Sequence, residues 1–190
     1  MLSDIISRIR RNHALEHATI HMLTAKYRGF NAQGNAAHNG FYLNIYGDLP
    51  EEAVVAAVEE AFRRLKQGEH HLAVHPNCGT ALLASAAMAT LAAQASFSWE
   101  QKKQGRPSID LNVFLNGFPS AVLAVVFALI ISKPIGLALQ ANYTTDGDLG
   151  SLQLRRIERI RPSFITRLFQ LLLTPGQTKQ ATAYKITTGY

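Results

Sequence analysis

Charge is scarce in this chain. Asp, Glu, Lys and Arg make up 17% of its 190 residues, against about 25% in ordinary soluble domains. The apolar share is an unremarkable 47%, so the missing charge argues against disorder and brings a membrane protein into consideration. Cysteine is all but absent. With Cys78 alone no internal disulfide forms, which excludes a disulfide-stapled secreted scaffold. An apolar leader is missing too, because the first eleven residues, MLSDIISRIRR, are amphipathic and contain no h-region. The length excludes a large multidomain enzyme and leaves room for one small domain with membrane spans. The formal net charge of +6 suits an anionic lipid surface and a nucleic acid equally, and decides neither.

The charge is also unevenly distributed. No Asp, Glu, Lys or Arg occurs between Glu69 and Glu100, and residues 79–97 are mostly Ala, Leu, Met, Ser and Thr. A second uncharged stretch, 111–132, has the apolar core AVLAVVFALII before Lys133 and Pro134. Each is long enough to cross a hydrocarbon layer of about 30 Å as a helix. The second is the stronger span. The first is rich in small residues that permit close helix packing, and it also fits a buried helix of a soluble protein. Read together they form a transmembrane helical hairpin, residues 79–140. Eight basic residues precede it, three (Lys102, Lys103, Arg106) lie in its connection and seven follow Lys133. That bias predicts that both termini are cytoplasmic, with residues 98–110 crossing to the other side.

Residues 1–78 read as a small cytoplasmic α+β unit with the order α-β-β-α-β. The 3–27 stretch is a helix with Ile5, Ile6, Ile9, Ile20, Leu23 and Thr24 on one face and Gly29 to end it. Residues 31–41 make a hairpin or ordered loop, and 41–46 a strand. Asp48 and Glu51 around Pro50 suggest a capping box for a helix over 51–67, and 69–75 alternates as a strand. Residues 141–190 form a basic carboxy-terminal segment of β and amphipathic pieces. In it Arg155, Arg156, Arg159, Arg161 and Arg167 adjoin Phe164, Ile165, Leu168, Leu171, Leu172 and Leu173, so the tail is expected to lie on the anionic inner leaflet. The basic run lacks a stacking aromatic cluster, which argues against nucleic acid as a partner.

All seven histidines, 13, 17, 21, 38, 70, 71 and 75, fall within the first 75 residues, with Cys78 close behind. His13-Ala-Leu-Glu16-His17 is an H-x-x-E-H pattern, in which two imidazoles four apart bind zinc and the carboxylate activates water. At about 100° per residue, His13 and Glu16 fall inside the Ile9–Ile20 stripe. Burying them there costs several kcal/mol unless each finds a partner. Two accounts follow. His13, His17, His75 and Cys78 hold a metal, zinc being the one cofactor implied, with Glu16 as general base; or the same residues form a buried packing network. Cys78 also reads as an inert residue in a turn that caps the first span. His38, His70 and His71 need no function, the last two fitting a strand start.

The segments RNHALEHATIH (11–21), LAVHPNCGT (72–80) and KPIG (133–136) resemble an uncharacterised bacterial membrane family, a domain of unknown function found largely in cyanobacteria and related phototrophs. The resemblance implies a two-span membrane protein and no known activity. Similarity to inverzincin peptidases covers residues 13–17 only. Those enzymes are larger and take a third ligand from a downstream glutamate, for which Glu59 or Glu60 would have to substitute. The expectation is an integral membrane protein that organises lipids or a protein partner around a buried His–Glu network. The alternative is a membrane-anchored zinc protein or metallohydrolase; whether the chain is an enzyme stays open.

Overall fold

The computed structural model describes residues 2–164, 166–168 and 181–190. Two compact units divide the chain: residues 1–75 with 141–190, and residues 76–140. The first is α+β. Helix α1 (Leu2–Lys26) is followed by strands β1 (Asn31–Ala37) and β2 (Gly40–Tyr46), helix α2 (Glu51–Lys66) and a 3-10 turn (His70–Ala73). After the second unit the chain returns with a π turn (Gln140–Thr144), β3 (Gln153–Ile160) and β4 (Thr182–Gly189). The strands form one antiparallel sheet in the order β1-β2-β4-β3.

Period-two alternation places this sheet. Phe41, Leu43 and Ile45 of β2 point to the core, as do Tyr184 and Ile186 of β4, with Tyr42 exposed between them. Helix α2 answers with Val54, Ala57, Val58, Ala61 and Leu65, and α1 with Leu15, Ala18 and Leu23, at the spacing of a single helical stripe. Strand β1, NAQGNAA, has little intrinsic β-propensity; it is an edge strand held by full-length pairing with β2. Asn12 ties α1 to the sheet. Fully buried, it donates to Ala37 O at 2.8 Å and accepts from Thr188 Oγ1 at 2.8 Å.

Several expectations change. Residues 69–75 are not a strand: His70–Ala73 is a 3-10 turn that buries Leu72 and Ala73 while Arg64 grips Glu69 at its start. The strand that continues the sheet beyond β2 is β4, so the carboxy-terminal segment, read above as separate, folds with residues 1–75. The basic piece 153–160 is itself β3, paired with β4. No capping box starts α2, whose N-cap is Pro50 without a side-chain hydrogen bond. Most of the amphipathic stretch 163–173 lies outside the described residues.

The second unit is a hairpin of α3 (Gly79–Lys103) and α4 (Leu111–Leu139). At 1.5 Å per residue each is longer than about 35 Å, and both are long and apolar enough to cross a membrane. Small residues bring them together. A Cβ at Gly136 would stand 2.9 Å from Ala81 Cα, and the hydroxyls of Ser85 and Ser132 share a hydrogen bond of 2.7 Å. Phe97 stacks on Phe114 with ring centroids 5.4 Å apart. Asp110 caps α4 by accepting from Val113 N at 2.9 Å. Outward, Leu82, Leu83, Leu91, Leu123, Phe127 and Ile130 are exposed. Only 6% of the most apolar window of α3 and 17% of that of α4 are buried. A core helix of a soluble protein would be mostly covered; these two leave most of their apolar surface open.

Candidate histidine centre

The middle of α1 is buried on nearly every side, from Asn12 to Leu23. A helix in that position presents one flank to the sheet and another to the chain that follows α2. His17 and His21 use the second flank. His17 is 1% exposed, and its Nδ1 lies 2.7 Å from Ala73 O. His21 Nε2 lies 2.8 Å from Val74 O. His13, one turn earlier, sets Nδ1 2.9 Å from Thr144 O, a carbonyl of the returning chain.

A carbonyl oxygen only accepts, so the ring nitrogen facing it carries the proton. In the neutral imidazole the remaining nitrogen then holds the lone pair: Nε2 of His13, Nε2 of His17 and Nδ1 of His21. The rings of His13 and His17 are 4.3 Å apart in an edge arrangement, with one ring nitrogen of each within 4.8 Å of the other. His75 closes the group. Its ring is 5.8 Å from that of His17 and 5.0 Å from that of His21. Burial, helped by the neighbouring His21 and His17, pushes its pKa down to about 4, so at neutral pH His75 is uncharged and keeps a lone pair.

Glu16 takes the other flank. It is 5% exposed, and its carboxylate lies against β1 where Gly34 has no side chain. A Cβ there would fall 2.1 Å from Glu16 Cδ and 2.1 Å from Oε1. The glycine in β1 is thus the space in which the buried carboxylate sits. Helical geometry puts Glu16 about 100° round from His17 and about 60° from His13, its neighbour one turn earlier.

Of the residues singled out from sequence, His13, His17, His21 and His75 come together and Glu16 stands on the adjoining face. Cys78 belongs to the hairpin unit, where it is the N-cap of α3 and its Sγ accepts from Thr80 N at 3.4 Å. His70 and His71 are exposed in the 3-10 turn rather than at a strand start, and His38 is exposed at the β1–β2 turn. On α2, Glu60 pairs with Arg63 and Glu59 is exposed. Asn12, Gly34 and the Thr144 carbonyl escaped the sequence reading. Asn12 did leave a signal, a polar side chain beside His13 on the inward part of α1; a backbone carbonyl leaves none.

An uncharacterized protein of the cyanobacterium Picosynechococcus sp. is 37% identical over 81 residues, 38% of this chain and 38% of that relative. The chain therefore spans well under half the length of the curated relative it matches. No solved structure matches. Residues 8–157 match the family described as a domain of unknown function (DUF6391), and with most of its length inside that match the chain belongs to this family.

Proposed function

We propose that the protein is a membrane-anchored binder of a transition-metal ion, with His13, His17 and His75 as ligands and zinc as the ion these donors suit best. One observation carries the reading. His13 and His17, one turn apart, are each held at Nδ1 by a backbone carbonyl, which leaves Nε2 as the lone-pair nitrogen of each, and one ring nitrogen of each lies within 4.8 Å of the other. Metal-binding histidines recur in this arrangement, because the outer hydrogen bond fixes both tautomer and ring direction. The His75 ring, with its centroid 5.8 Å from that of His17, supports a third position. The spans anchor this unit, and the excess of basic residues on both flanks of the hairpin supports a cytoplasmic location for it.

The second reading is a packing network that organises lipids or a partner protein without metal, and the carbonyl partners of His17 and His21 favour it, since they satisfy buried rings by themselves. Metal analysis separates the two. Purified in detergent and dialysed, the parent protein should retain about one equivalent of zinc. His17→Ala should lose it. Glu16→Gln should keep it, because the carboxylate of an H-x-x-E-H pattern serves in proton transfer rather than as a ligand. Less than about a tenth of an equivalent in the parent, with no uptake on adding zinc, would overturn the metal reading and leave the packing network.

A further inference from the structure

The first turns of α1 carry an apolar stripe that the α+β unit does not use. Leu2, Ile5 and Ile6 are 72, 40 and 49% exposed, whereas the same helix is buried from Asn12 onward. With Ile9 they follow the i, i+3, i+4, i+7 spacing of one helical face. Basic groups adjoin the stripe: Arg8, Arg10 and Arg11, with Asp4 as the acidic residue among them. Arg8 lies over the Tyr190 ring, 4.6 Å from its centroid.

What lies beside this stripe identifies its surroundings. The second candidate span runs through Thr144, and the chain leaving it is hydrogen-bonded to α1. Arg10 donates to Asn142 O at 3.2 Å and to Thr145 O at 2.9 Å, and Asp146 N donates to Arg10 O at 3.1 Å. Ile9 and Ile6 precede Arg10 on α1 by one and four residues, about one helical turn or less along its axis. Tyr143 there is 71% exposed, as expected of the aromatic residues that gather at headgroup level.

We infer that the amino-terminal turns of α1, from Leu2 to Ile9, lie in the interfacial zone of an anionic bilayer as an in-plane anchor. The apolar stripe enters the headgroup–acyl boundary, and Arg8 is the basic group beside it that meets lipid phosphates, since Arg10 and Arg11 are held by Thr145 O and by Asp146. This rests on the membrane reading of the hairpin and is separate from the metal site. Its effect is to give the α+β unit a third attachment to the membrane surface besides the two chain connections at residues 75–79 and 139–145.

The chain has a single tryptophan, Trp99, which permits a direct test. In a Trp99→Phe background, one tryptophan is placed by Ile6→Trp, by Leu123→Trp on the outward face of α4, or by His38→Trp at the exposed β1–β2 turn. Each variant is reconstituted into phosphatidylcholine–phosphatidylglycerol vesicles with and without acyl-brominated phosphatidylcholine. The expected result is a blue-shifted emission and bromine-dependent loss of intensity for Ile6→Trp, smaller than for Leu123→Trp, with no loss for His38→Trp. Hydrated emission without quenching at position 6 while position 123 is quenched would overturn the inference and leave the spans intact. So would a blue shift at position 6 without bromine quenching, which would mean that protein, a partner or a second copy, covers the stripe. Absence of quenching at position 123 would remove the membrane reading, and this inference with it.

Discussion

A buried carboxylate is tolerable only where the fold leaves room and partners for it, and at Glu16 the room comes from Gly34. The two residues belong to different elements, yet a Cβ at 34 would occupy the volume of the carboxyl group. Gly34→Ala should lower stability by about 1–3 kcal/mol, the usual cost of overpacking a filled site. Combining it with Glu16→Ala should recover part of that loss, because the clash then disappears. Thermal unfolding of the four-member cycle in detergent measures the coupling, and additive effects would show that the two side-chain positions do not interact. The spacing of the histidines made the site partly visible in the sequence, since residues four apart on a helix share a flank. Gly34 was invisible as its partner, because a glycine in a weak strand announces a turn or an edge and says nothing about which side chain fills its space.

At the scale of elements, α1 holds two different apolar patterns in one continuous helix. Sequence reading put Ile5, Ile6, Ile9, Ile20, Leu23 and Thr24 on one face; Ile20 and Leu23 are buried, Ile9 is half-buried, and Ile5, Ile6 and Thr24 are exposed. Periodicity shows that a face is apolar without naming what covers it. The 70–75 stretch failed differently. Its alternation was short, and the 3-10 turn buries Leu72 and Ala73 while delivering two carbonyls to His17 and His21. The hairpin was legible because two uncharged stretches of twenty or more residues, 70–99 and 111–132, constrain the chain strongly. Its internal packing follows from small residues. Gly136→Leu should force α4 away from Ala81, whose Cα stands 2.9 Å from a Cβ at that position, and lower the Tm in detergent. Leu123→Ala, on the outward face at 58% exposure, should change it far less. Equal shifts from both would mean that the close approach of the helices contributes little to their association.

The whole molecule is constrained by its sheet. Residues 40–45 of β2 are hydrogen-bonded partners of residues 182–187 of β4, and the hairpin lies between them in the chain. Two strands paired in one sheet occupy one aqueous side, so the intervening chain crosses the bilayer an even number of times. A single span by α4 with the Ala-rich α3 left outside is incompatible with that pairing. If α4 spans a bilayer, α3 must cross as well, although its own insertion energy is marginal. Local pattern could not supply this step, because the pairing joins segments about 140 residues apart and sequence alternation identifies strands without their partners. The basic residues add direction: eight before residue 79 and seven after Lys133, against three in the connection. A reporter that is active only outside the cytoplasm should therefore be active when inserted at Gln104, in the turn that ends α3, and silent when fused after Tyr190. Activity at both positions or at neither would place the connection and the sheet on one side and exclude a spanning hairpin. Activity only at the carboxyl terminus would keep the hairpin but reverse its orientation.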